Sequence, residues 1–117
     1  MIPRQQAPEL SSEAELGEQL KVEVLNGCGV NGIANTFKEI LQNQNYDVVY
    51  VGNADSYDYA KSVVIDRGRR SEKDIKKFCK FLGVRNAVKI KNSDLQVDVR
   101  FIIGADYSTL KAFKNYR

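Results

Sequence analysis

A chain of 117 residues, 43% hydrophobic and 28% charged, has the balance of a single globular domain and not that of a fibrous or disordered chain. No stretch approaches the roughly 18 consecutive apolar residues of a membrane span, and no basic segment followed by an apolar run opens the chain as a signal peptide would. Two cysteines and no histidine exclude the usual structural zinc sets and every histidine-based triad, so no metal site, no cofactor and no enzymatic activity are expected. The net charge of +3 is unevenly placed, because Arg4 stands against Glu9, Glu13, Glu15 and Glu18 in residues 1–19 while the remainder is basic. That favours anionic partners without reaching the concentrated charge of a dedicated nucleic-acid binder.

Residues 1–19 contain Pro3, Pro8 and Ser11-Ser12 with no sustained apolar periodicity, and read as a linker before a domain spanning 20–110 and a tail at 111–117. Lys21 to Asn26 alternates as a strand and ends at Gly27-Cys28-Gly29. Val30, Ile33, Ala34, Phe37, Ile40 and Leu41 recur at helical spacing, which predicts a helix over about Asn31 to Gln44, closed by Asn43 or Asn45. Asp47 to Gly52 and Lys61 to Asp66 are β-branched runs. The short connection between them predicts an antiparallel hairpin, since a parallel crossover needs at least about 10–12 residues.

Ser71, with Asp74 three places on, opens a second helix whose apolar face is Ile75, Phe78, Cys79 and Leu82, and Gly83 ends it. Ala87 to Lys91, a turn at Asn92-Ser93-Asp94, and Val97 to Ile103 complete the order β, α, β, β, α, β, β. Two single-faced helices must cover one side of one sheet. The expected fold is therefore α+β, a two-layer ferredoxin-like sandwich (βαββαβ with an extra short strand before the last). Its first and third strands are central and parallel, and its last strand lies beside the first. The second sheet face is then solvated, covered by Leu110 and Phe113, or used for association.

Three segments carry a resemblance: Val24-Leu25-Asn26-Gly27-Cys28-Gly29-Val30-Asn31-Gly32-Ile33-Ala34, then Tyr46-Asp47-Val48-Val49 with Asn53-Ala54, then Phe101-Ile102-Ile103-Gly104-Ala105-Asp106-Tyr107. In that order they resemble the LytR C-terminal domain family, found after or apart from the LytR, CpsA and Psr cell-wall ligase domain. Asn45 stands where that family commonly has glycine, and Cys28 where it has a small polar residue. The resemblance implies an extracytoplasmic module held near the membrane by an anchor outside this chain. Peptidoglycan, an anionic wall polymer or an envelope protein are its implied partners. The catalytic arginines of the ligases belong to another domain.

Three features are candidates for binding. Gly27-x-Gly29-x-x-Gly32 follows a strand and opens a helix, the local context of a dinucleotide fingerprint, with Asp55 at a suitable distance. The chain lacks repeated parallel βαβ units in this reading. The glycines of this turn, with Asn26 and Asn31 around them, then serve structure: Gly27 and Gly29 a tight turn, Gly32 close packing of helix on sheet. Binding of another anion at the helix N-terminus stays open. Cys28 is read as a small turn residue and Cys79 as core, too far apart for a disulfide. The basic run Arg67, Arg69, Arg70, Lys73, Lys76, Lys77 and Lys80 is either a solvated face or a surface for an anionic polymer or lipid. Tyr57 and Tyr59, among Asp55 and Asp58, either stack on sugars or pack on their neighbours.

Overall fold

The computed structural model describes residues 19–91 and 96–116. The linker expected at the N-terminus and the turn expected at Asn92-Ser93-Asp94 lie outside the described residues. Five strands form one mixed sheet: β1 (Lys21–Asn26), β2 (Asp47–Asn53), β3 (Val63–Asp66), β4 (Ala87–Lys89) and β5 (Val99–Ile103), in the order β2-β1-β5-β3-β4. Helices α1 (Ile33–Asn43), α2 (Glu72–Leu82) and the short α3 (Lys111–Lys114) accompany it.

The alternation in the sequence dictates which face is covered. Val22 and Val24 of β1, Val99, Phe101 and Ile103 of β5 and Val64 of β3 are buried beneath the helices. Onto them α1 lays Ile33, Phe37, Ile40 and Leu41, and α2 lays Ile75, Phe78, Cys79 and Leu82. Both expected stripes are thus the buried ones, each large side chain contributing about 1.5–3 kcal/mol by leaving water. Phe37 meets Phe101 edge-on at 5.2 Å, and Tyr46 meets Phe78 at 5.0 Å. Ser71 caps α2 through its hydroxyl, which accepts from the Asp74 amide at 3.2 Å, and Gly83 ends it at φ +92°. After α1, Asn45 holds φ +67°, the conformation that explains why a glycine is common there.

The strand pairing departs from the ferredoxin-like expectation. β2 and β3 form no hairpin: β2 pairs parallel with β1 at one edge, and β3 pairs antiparallel with β5 and parallel with β4. β5 lies beside β1, as expected, but parallel to it and between β1 and β3. Three strand spacings, about 14 Å, separate β2 from β3. Residues 54–62 cross that gap over the ends of β1 and β5. Along the way the Ala54 amide donates to Asn26 O (2.8 Å), the Tyr59 amide to Gly27 O (3.0 Å) and the Ala105 amide to Tyr59 O (2.8 Å). The connection is short because it carries no helix and joins strands that never touch.

Two parallel βαβ units result, β1-α1-β2 and β3-α2-β4. The tail also differs from expectation. Leu110 and Ala112 join the buried core, and Phe113 stacks on Phe37 at 5.8 Å, so the tail packs into the helix layer and not on the opposite sheet face, where Leu25 and Ile102 are nonetheless buried. On that face Arg100 donates to Glu23 at 2.7 Å across β5 and β1, with Tyr50 (56% exposed) on β2 and Val88 (52%) on β4 toward its margins.

Candidate functional site

The glycine turn sits where β1 ends and α1 begins. Its geometry is fixed by Asn26, a buried residue whose Oδ1 accepts from the amides of Cys28 (3.1 Å) and Gly29 (2.9 Å) while its Nδ2 donates to Val30 O (2.9 Å). The Cys28 thiol, half-buried, also faces Asn26 Oδ1 at 3.6 Å. Tyr57 lies on Gly29, where a Cβ would stand 3.2 Å from its ring. Tyr59 crowds Gly27, where a Cβ would meet Ile102 Cγ2 at 2.7 Å, Ile103 O at 2.9 Å and the Tyr59 ring at 2.9 Å.

Close packing therefore belongs to Gly27. At Gly32 a Cβ would meet nothing within 4 Å, and the residue is required instead for its φ of +81°. This corrects the packing role read from the sequence. Strand topology does not oppose a dinucleotide either, because β1-α1-β2 is a parallel unit. What opposes phosphate is the chain itself: Asn26 takes the amides of Cys28 and Gly29, and Tyr57 covers the turn. Asn31 and Gly32 are exposed at its outer edge.

In the tyrosine loop, Tyr59 donates its hydroxyl to Asp55 at 2.8 Å, a bond that raises its pKa. Its ring is half-buried, whereas Tyr57 is 53% exposed. Packing on neighbours accounts for Tyr59, and only Tyr57 keeps a free ring surface.

The basic run divides by residue type. Arg67 is buried, with Nε lacking a hydrogen-bond partner among the described residues. Arg69 approaches the buried carboxylate of Asp98 at 3.4 Å, and Arg70 bridges Asp98 (3.3 Å) and Asp74 (3.1 Å) while donating to Gln19 O at 3.4 Å. Asp98 also accepts from the Lys21 amide at 2.8 Å, so this cluster fastens the start of β1 to the loop before α2. The three arginines do not form the open, anion-gripping ridge that their spacing implied. The lysines behave differently: Lys73, Lys76, Lys77 and Lys80 are all exposed on the outer side of α2, and none is in a salt bridge among the described residues.

Lys76 and Lys80 additionally border a groove between α2 and β4. Its other two cations, Arg85 and Lys89, were not legible as site residues. They lie beyond the dense run, and only the β3-α2-β4 unit brings them opposite the helix. Cys79 lies in the groove wall, where burial pushes its thiol pKa up and keeps it protonated; both cysteines are free. Among the described residues no group of three or more cysteines and carboxylates is placed to hold a metal, and no helix is long and apolar enough to cross a membrane.

Residues 19–107 match the family described as LytR cell envelope-related transcriptional attenuator. No curated protein and no solved structure matches the chain. The match covers most of the sequence and includes the glycine turn, the tyrosine loop and α2, and the chain belongs to that cell-envelope-related family.

Proposed function

Taking that family as the premise, we propose that this is a non-catalytic, extracytoplasmic binding module whose α2 lysine face contacts an anionic polymer of the bacterial envelope. The carrying observation is the contrast within one basic run. Arg69 and Arg70 are paired with Asp98 and Asp74 and Arg67 is buried, whereas Lys73, Lys76, Lys77 and Lys80 remain exposed with no carboxylate paired to them among the described residues. Ammonium groups of this kind act as point charges, without the paired hydrogen bonds a guanidinium gives. The contact is then weakly selective and strongly screened, since exposed charges are damped beyond about 8 Å at physiological ionic strength. Tyr57 is an accessory surface for a sugar ring.

The test is co-sedimentation with purified wall sacculi at low and high salt. The reading expects pelleting at low salt and its loss as salt rises. Pelleting indifferent to salt counts against the lysine face and favours Tyr57.

A second reading is protein assembly through the sheet face opposite the helices, favoured by the exposure of Tyr50 and Val88 at its margins. Under that reading an envelope protein is the partner, and changing Tyr50 rather than the lysines disrupts it.

A further inference from the structure

The groove between α2 and β4 has a volume of about 470 Å³, within the range of small-ligand pockets. It lies between α2 and the helix-side surface of the edge strand β4, where the small Ala87 leaves room beside Asp66 and Lys89. Its charges are ordered. Asp66, at the end of β3 and 6% exposed, and Glu72, in the first turn of α2, stand at one end. Lys80, and Arg85 in the loop after α2, stand at the other, with Ile75, Cys79, Val84 and Ala87 forming apolar wall between them. Glu72 and Lys80 are eight residues apart on one helix, about 12 Å along its axis. Lys76 borders the middle, and Lys89 lies beside Asp66 across the β3-β4 ladder.

A pure polyanion uses only part of this arrangement, because at one end of the groove the two carboxylates of Asp66 and Glu72 outnumber Lys89. A zwitterion fits both ends. The geometry points to a short peptide bearing an ammonium at the Asp66 and Glu72 end, a carboxylate at the Lys80 and Arg85 end, and small apolar groups between. The peptide stems of a bacterial wall, built from alanine, glutamate and a diamino acid, have that composition. The inference rests on the envelope reading above and deepens it: the lysine face supplies general attraction, and the groove selects the peptide.

The experiment is calorimetric titration of the chain with the synthetic peptide N-acetyl-L-Ala-γ-D-Glu-L-Lys-D-Ala-D-Ala, whose lysine is its one ammonium, the same peptide acetylated on its lysine side chain as well, and poly(glycerol phosphate). Saturable binding of the first, weakened at least tenfold by lysine acetylation, is expected. Asp66→Asn keeps an oxygen for the Gly68 amide that now donates at 2.8 Å, and it removes the charge. Glu72→Gln does the same at an exposed position, should the buried change unfold the domain. Both weaken peptide binding under this inference, whereas for a polyanion they strengthen it by removing repulsion. Ala87→Ile, a strand-compatible residue, fills the groove and removes peptide binding while leaving sedimentation with sacculi unchanged.

Peptide affinity that is unaffected or raised by Asp66→Asn and Glu72→Gln overturns the inference, as does equal binding of poly(glycerol phosphate). A chain that pellets with sacculi yet ignores the peptide refutes the groove and leaves the lysine face standing. Peptide binding without sedimentation does the reverse.

Discussion

Gly27 and Gly32 belong to one motif, yet they should respond in opposite ways to the same pair of substitutions. At Gly27 the backbone conformation is ordinary, and the obstacle is space: a methyl group meets Ile102 Cγ2 at 2.7 Å, the Ile103 carbonyl at 2.9 Å and the Tyr59 ring at 2.9 Å. One of these contacts is backbone, and the Gly27 amide bonds that same Ile103 carbonyl at 2.9 Å, so the strand cannot shift without loss. Gly27→Ala should cost about 1–3 kcal/mol, the range for overpacking, and the larger Gly27→Asn more. At Gly32 there is open space, and the obstacle is φ +81°. Gly32→Ala should cost about 1–2 kcal/mol, while Gly32→Asn should cost less, because asparagine tolerates the left-handed region. Thermal and urea denaturation of the four variants measures this, with each kcal/mol moving the melting temperature by about 4–8 °C for a domain of this size. The expected ranking is alanine better than asparagine at Gly27, and asparagine better than alanine at Gly32. The same preference at both positions, or a Gly27→Ala variant melting with the wild type, refutes the division of labour.

Asp98→Ala should destabilise by something on the order of 2–4 kcal/mol, since it leaves the Lys21 amide and the Arg69 and Arg70 guanidinium groups without their shared carboxylate; chemical denaturation measures the loss. Alkaline pH should weaken the fold in two steps. Burial raises the pKa of Cys79 above 9.0 and that of Tyr46 above 10.0, so the native state holds these protons more tightly than the unfolded chain. Stability is then full below about pH 9 and declines as pH rises through the folded values. The first step should vanish in Cys79→Ala and the second shrink in Tyr46→Phe; stability that rises above pH 9 would contradict the sign. Tyr57→Ala loses packing on Gly29, and at a temperature where the variant is folded it should still lower affinity for wall glycan if its exposed ring is a sugar platform, which sedimentation at high salt reads without the lysine contribution.

Local features were legible in the sequence because local physics sets them. The three- and four-residue spacing of Ile75, Phe78, Cys79 and Leu82 gave the buried side of α2, and Ser71 with Asp74 gave its start. The strand order was not legible, because it depends on where residues 54–62 travel. Nothing in a short connector distinguishes a hairpin from a passage over two intervening strands, and the bonds that guide it, such as Ser62 to Asp106 at 2.8 Å, join residues far apart in sequence. The basic run failed in part for the same reason. Arg70 and Asp98 are 28 positions apart, so the arginines looked unopposed until β5 brought the carboxylate to them. Arg85 and Lys89 were overlooked for the converse reason, each being isolated in sequence and joined to Lys76 and Lys80 only by the β3-α2-β4 fold.

The central claim is that the lysines bind while the arginines hold the structure, and one paired comparison tests it directly. Lys73, Lys76, Lys77 and Lys80 are changed together to glutamine, a residue of comparable helix propensity, and Arg69 and Arg70 are changed together to alanine. Melting temperature and sedimentation with sacculi are then measured on both proteins at low salt. The account predicts that the glutamine variant melts within a few degrees of wild type and stays in the supernatant, and that the alanine variant is markedly destabilised but, at a temperature where it is folded, still pellets. A glutamine variant that pellets as well as wild type, or an arginine variant of undiminished stability that no longer pellets, contradicts it.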